Sequence, residues 1–209
     1  MTDEEKRKLY LKTVNEHLGY VRDMCNLMGI PELGKLHDLS KFDPEEFEIY
    51  HWADGKRSPH DNARAALGYS PSWIYHKAKN PHHWEFWTDF SSATPNDDGT
   101  FTIICTCVKM PYERVIEMFC DFIAAGKAYE KSEWTPKNPY NYWLEKCKNQ
   151  RAMHVDSEHL LETLLKKLSD LNDLDKFVAW YNQEKEKLTN QYEKGVLQQL
   201  GRWSKWMCD

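Results

Sequence analysis

Apolar residues early in the chain recur at three- and four-residue steps. Tyr10, Val14, Val21, Met24 and Met28 share one face of a helix predicted over residues 3–28. Gly29 and Pro31 end it, glycine as a C-cap and proline because it cannot continue the ladder. A short helix is expected through "ELGKLHDL" (32–39). "DPEEFEIYHWA" then opens a third, with Asp43 as N-cap, Pro44 at the first helical position and Glu45 and Glu46 at the positive dipole end. "SPSWIYHKAKNP" repeats that grammar: Ser70 caps, Pro71 starts and Pro81 terminates. Between Trp87 and Val108 the period changes. "TFTIICTCV" is β-branched and follows the turn signal "NDDG", which predicts a small hairpin at about 87–108. Helix returns in "MPYERVIEMFCDFIAAGKAYE", and "TPKNPYNYW" reads as a linker into a short helix. The remainder is helical, with Leu160, Leu161, Leu164, Leu165 and Leu168 in one stripe and Phe177, Val178 and Tyr181 in the next element. The expected fold is mostly α. A helical domain over 1–135 carries the hairpin as an insertion, and a C-terminal helical layer over 136–209 packs on it.

Charge and composition narrow the function classes. The 209 residues carry a formal net charge of -5 with no basic run, which argues against binding to extended nucleic acid through a basic face. A small phosphorylated ligand needs only a local positive spot and stays open. The six cysteines form no CxxC pair and fit a reduced cytoplasmic protein. "MTDEEKRKLY" has no apolar leader region, and no window is long and apolar enough to span a bilayer.

The residues that carry chemistry are histidines and aspartates. His17 falls within the apolar stripe of the first helix, where a core histidine bonded to a backbone carbonyl would also fit. His37 and Asp38 lie side by side in "LGKLHDLSKF" (33–42), and capping explains Asp38 but not its neighbour. His76, His82 and His83 cluster in "HKAKNPHHW". Glu113, Glu117 and Asp121 share one helix face at four-residue spacing. A solvated face suits Glu113. Around Asp121, Phe119, Phe122 and Ile123 suggest burial, and a buried carboxylate needs a cation or hydrogen-bond donors. Mixed imidazole and carboxylate ligands suit Mn, Fe, Co, Ni or Zn, and admit Mg. On separate helices these groups can converge only in a bundle core.

The order H…HD…H…HH…D resembles that of the HD superfamily of metal-dependent phosphohydrolases. "HDLSK" is similar to the HDxGK form in its cyclic-dinucleotide phosphodiesterases, with Ser40 standing where that form has glycine. The wider wording ("HDLSKF", "NPHHW", "MPYERVIEMFCDF") resembles a phage and bacterial family with HD-like features. The resemblance spans about residues 10–130. It implies an HD-domain-like bundle in which His17, His37, Asp38 and Asp121 are the primary metal ligands. It also implies that His76 with His82 or His83 holds a second ion, so one or two divalent cations are expected. The closer spacing of these last histidines leaves His51 and His60 as substitutes, although "KRSPHDN" places His60 in a surface loop.

The activity so implied is hydrolysis of a nucleotide or other small phosphate ester by a metal-activated water. Asp38 would orient that water, and Lys41 would meet a phosphate oxygen as a point charge unless it is a solvated surface lysine. Lys77, Lys79 and Arg64 are further phosphate candidates. Glu117 would orient a ligand histidine or act as a general acid. Nine tryptophans are many for this length, and Trp73 with Trp52, Trp84 and Trp87 would either wall a base-stacking pocket or fill the core. Two rival readings use the same residues: an HD-type di-iron oxygenase, and a non-catalytic metal-containing binding protein. In the latter the leucine stripe would pair with another helix or with a second copy as a homodimer. Cys105 and Cys107 face one side of a strand but lack a second pair for zinc, and Asp156 reads as a helix N-cap. The expected location is the cytoplasm, of the bacterial host if the chain is phage-encoded.

Overall fold

Helix α1 (Asp3–Leu27) starts on a capping box: the Thr2 side chain accepts from the Glu5 N–H, and the Glu5 carboxylate accepts from the Thr2 N–H. Its buried face holds Tyr10, Val14, His17, Leu18, Val21, Met24 and Cys25. This is the stripe read from the sequence, with His17 inside it. This computed structural model describes residues 1–148, 152–195 and 206–208, the last three by backbone alone. The fold is mostly α with one small sheet, as the pattern predicts. The chain divides into two compact units. The first joins residues 1–81 to 120–134, and the second joins 82–119 to 135–209.

In the first unit, Gly29 takes a left-handed conformation after α1 and α2 (Pro31–Leu36) folds back against it. The two helices meet at Gly34, where an added Cβ would fall 2.7 Å from the Cys25 Cβ. Helix α2 stops at Leu36, short of the predicted end at residue 39. His37 is non-helical and Asp38 is left-handed at φ 55, opening a 3-10 turn over Leu39–Phe42. A backbone path that turns twice in two residues leaves their side chains outside any helical register. Helix α3 (Pro44–Phe47) then runs into a 3-10 turn, Glu48–Trp52. Asp43 does not cap α3 with its side chain; its carboxylate accepts from the Tyr75 hydroxyl at 2.8 Å.

Helix α4 (Pro59–Leu67) replaces the loop expected around His60, which is buried in its first turn. Proline at N1 and alanines at positions 63, 65 and 66 account for the helix. Helix α5 (Pro71–Lys79) is capped as expected: Ser70 Oγ accepts from the Trp73 N–H at 3.2 Å. Tyr10, Val14, Leu18, Ile49, Ala53 and Ala63 form the core of this unit. The later part of α6 (Tyr112–Glu130) belongs here as well, and Trp134 packs on Gly126.

In the second unit, β1 (Thr88–Pro95) and β2 (Phe101–Cys107) form the predicted hairpin, in register from Thr88 with Cys107 to Pro95 with Phe101 and with one bulge between Phe90 and Ser92. A third strand, β3 (Trp206–Cys208), pairs antiparallel with the other edge of β2, where the sequence pattern predicts only helix. Helix α7 (Asn138–Tyr142) widens into a π turn over Trp143–Cys147. Helices α8 (Val155–Leu171) and α9 (Leu174–Lys194) make a hairpin through left-handed Asn172, with Asp173 capping α9. The α8 cap is His154, whose Nδ1 accepts from the Asp156 N–H. Asp156 itself pairs with Lys109 at 3.3 Å rather than capping. Leu160, Leu161, Leu164, Leu165 and Leu168 are all buried within the single chain. No described helix is long and apolar enough to cross a membrane.

Candidate metal centre

Four side chains of the first unit converge, delivered by three different local devices. His17 comes from the buried stripe of α1. His37 and Asp38 come from the break after α2, and Asp121 from the second half of α6. His17 Nε2 lies 3.3 Å from Asp121 Oδ1 and 3.6 Å from Asp38 Oδ2. His37 Nε2 lies 3.4 Å from Asp38 Oδ2 and 3.7 Å from Asp121 Oδ1. These separations exceed the usual N–H···O length of about 2.9–3.0 Å. They lie at or just beyond the edges of a coordination polyhedron, since donors about 2.0–2.2 Å from one ion and 90–110° apart are ~2.8–3.6 Å from each other. His17, His37 and Asp38 are buried, and one donor atom from each fits within a 4.8 Å span, so the group can hold a metal ion. Asp121 is less buried than its apolar neighbours suggest, with a side chain 19 % exposed. Of the four side chains, Asp121 is the most accessible to solvent.

Asp38 is the hub. Its Oδ2 faces His17 and His37, its Oδ1 is 3.3 Å from His76 Nε2 on α5, and Lys41 Nζ is 3.0 Å from Oδ2. Burial by itself would raise the Asp38 carboxyl, but electrostatic interaction with His37, Lys41 and His76 holds it well below the usual carboxylate range. Lys41 mirrors this: burial disfavours its ammonium, and Asp38 more than restores it, pushing the group up. Lys41 is therefore no solvated surface lysine.

The other candidates are placed unevenly. Trp73 is half-buried on α5, 5.3 Å from the His76 ring centroid to centroid, with the Arg64 guanidinium over its ring at 5.1 Å. Lys77 follows His76 and is half-buried. Trp52, Trp84 and Trp87 are half-buried too, and Trp52 packs against the core of the first unit. His51 stands apart with Glu48 and Asp3, at 3.1 and 3.4 Å. His82, His83 and Glu117 fall in the second unit. There His82 Nδ1 is 3.4 Å from Glu117 Oε1, the rings of His82 and His83 are 4.2 Å apart, and Arg114 holds Glu117 Oε2 at 2.7 Å. Glu113, on the same helix, is exposed.

Sequence reasoning missed Glu46 and Asn80, both buried and both bonded to site residues. It also misplaced His60, whose Nδ1 is 3.0 Å from Ser70 Oγ and whose ring lies 6.2 Å from that of His76. The signal for His60 was the proline before it, a helix-start mark. Burial, helped by Lys41, His76 and Arg64, pushes the His60 imidazole well below its usual value, so the folded protein keeps it neutral. As pH falls through about 6.5, the unfolded chain takes up a proton here that the folded state resists, so stability declines with acidification. The His60→Gln variant should therefore lose stability less steeply than wild type between about pH 7 and 5. Urea unfolding at several pH values measures this, and equal slopes would contradict it.

Over residues 6–167 the sequence matches a protein-family model described as "Family of unknown function (DUF5662)". The chain belongs to this family. No curated protein and no solved structure matches it. The DUF5662 span takes in His17, His37, Asp38, His76 and Asp121, and it ends within α8. Membership thus covers the whole cluster and assigns no chemistry to it.

Proposed function

We propose that the chain is a metal-dependent phosphohydrolase acting on a nucleotide or other small phosphate ester. The observation that carries this reading is the convergence of His17, His37, Asp38 and Asp121 at 3.3–3.7 Å, the spacing of ligands around one cation. The HDLSK resemblance to HD phosphohydrolases supports it, as do two neutral-donor imidazoles combined with two carboxylates, a set suited to Mn, Fe, Co, Ni or Zn. A bound cation would lower the pKa of a water so that hydroxide is available to attack phosphorus near neutral pH, and would supply a charge that polarises a phosphoryl oxygen.

The remaining work falls to the chain. Asp38, kept ionised by its neighbours, is the acceptor that orients the attacking water. Lys41 spends one hydrogen on Asp38 and has two left for a phosphoryl oxygen. Trp73, stacked under Arg64, is the candidate wall for a base, and Lys77 a second phosphate contact. The partly exposed Asp121 side marks where substrate enters.

Elemental analysis of the purified protein, followed by a phosphate-release screen over nucleotides and small phosphomonoesters with Mn, Co and Mg, tests the reading. Metal-dependent release is expected. Absence of bound cation, or turnover unaffected by a chelator, would overturn it, and a mixed-valence di-iron signal would move the assignment to an oxygenase.

A further inference from the structure

Glu46 is fully buried on α3, and the proposed reaction makes no use of it. Both of its oxygens are engaged: Oε1 with His76 Nδ1 at 2.7 Å, and Oε2 with the Ser40 hydroxyl at 2.6 Å. Behind Ser40, Asn80 Nδ2 donates to Ser40 Oγ at 2.7 Å and to the His76 carbonyl at 2.8 Å. Asn80 Nδ2 also lies 3.1 Å from His76 Nδ1. An amide nitrogen has only two hydrogens, and the two shorter contacts claim them. An ionised carboxylate only accepts, so the hydrogen between His76 and Glu46 sits on Nδ1. Every donor in the chain points the same way, from Asn80 to Ser40 to Glu46, and from His76 to Glu46. A neutral imidazole with its hydrogen on Nδ1 has its lone pair on Nε2, and that atom faces Asp38 Oδ1 at 3.3 Å.

We propose that Glu46, held in place by Ser40 and Asn80, is a positioning residue that locks His76 as the Nδ1–H tautomer. It thereby presents the Nε2 lone pair beside Asp38 as a donor for a divalent cation. The inference rests on the cation-binding reading above. Four buried groups make the lock, so water does not compete for any of its bonds. A carboxylate on the far nitrogen also fixes the ring plane and makes the near nitrogen a better donor. Ser40 gains a purpose here: it stands where the HDxGK form has glycine, and its hydroxyl is the group that fastens Glu46.

The test uses the full chain and has two readouts, neither of which depends on turnover. Long-range nitrogen–proton NMR of the metal-free wild type should find the His76 hydrogen on Nδ1. Glu46→Gln, which preserves volume and removes the charge, should weaken Mn affinity in a competition titration by about 10–100-fold. Ser40→Ala, which keeps the carboxylate but unfastens it, should weaken Mn affinity in the same direction by less, and it serves if Glu46→Gln does not fold. A His76 hydrogen on Nε2 in wild type, or Mn affinity unchanged in both variants, overturns the inference while leaving the phosphohydrolase reading standing. A wild type that binds no Mn overturns both. Failure to release phosphate with Mn bound tells against the reaction alone.

Discussion

Asp38→Asn is expected to abolish divalent-cation binding and any activity that depends on it. Asparagine suits the test because position 38 is left-handed at φ 55, a conformation that Asn and Asp tolerate better than other side chains with a Cβ. The backbone path that delivers His37 is thus kept while the charge is lost. That charge is central: Asp38 oxygens lie 3.3–3.6 Å from three imidazoles and 3.0 Å from Lys41. Removing one partner of a buried ion pair typically costs about 3–5 kcal/mol, because the other charge is left uncompensated. The variant should therefore be less stable than wild type at neutral pH even without metal. The sign with pH follows from the lowered Asp38 carboxyl. Its contribution is fully present above the ordinary aspartate value near 3.9 and is lost as pH falls through the lower folded value. The stability gap between wild type and Asp38→Asn should narrow in strong acid. Elemental analysis and urea unfolding check the two claims. Wild-type metal content in the variant would remove the basis of the proposed function.

The second large effect is expected from Gly34→Ala, a change of one methyl group that alters no charge. The new Cβ would stand 2.7 Å from the Cys25 Cβ and 3.3 Å from the Arg22 Cα. Both are atoms rigidly tied to the α1 backbone, so no side chain can swing aside and α2 itself must move. Overpacking of this kind costs about 1–3 kcal/mol, against a helix-propensity gain of at most ~1 kcal/mol for alanine over glycine. Net destabilisation is expected. His17 sits on one of these helices and His37 just beyond the end of the other, so separating the helices spreads the ligand atoms and should weaken Mn binding. Gly19→Ala is the control, since an added Cβ there meets nothing within 4 Å. It should leave Mn binding intact and should not destabilise. Equal behaviour of the two variants in unfolding and Mn titration would refute the packing argument.

These cases show where sequence reading succeeds and where it stops. His17, the Ser70 cap and the hairpin were legible because each depends on neighbours within about one turn or one strand pair. The His37–Asp38 pair stands out in the sequence as an anomaly, but the pattern extends its helix too far, because the left-handed turn at Asp38 has no glycine or proline to announce it. Glu46 looked like an ordinary first-turn acid near a positive helix end. Its role comes from Ser40, six residues before it, and His76, thirty after it, and no local pattern couples those positions. Strand β3 was missed for the same reason: three residues have no periodicity, and only the free edge of β2 makes them a strand.

The sequence by itself determined the mostly helical character, the hairpin, the start and stop of the main helices and the short roster of imidazoles and carboxylates. Those follow from periodicity, capping and residue chemistry, which act over a few residues. Only the tertiary structure decided that residues 17, 38 and 121 meet within 3.3–3.6 Å, that Lys41 is tied to Asp38, and which way the His76 ring is held. Such distances are set by how helices pack, through a glycine at one crossing and a left-handed residue at one turn. Packing is a property of the closed chain and of no segment within it.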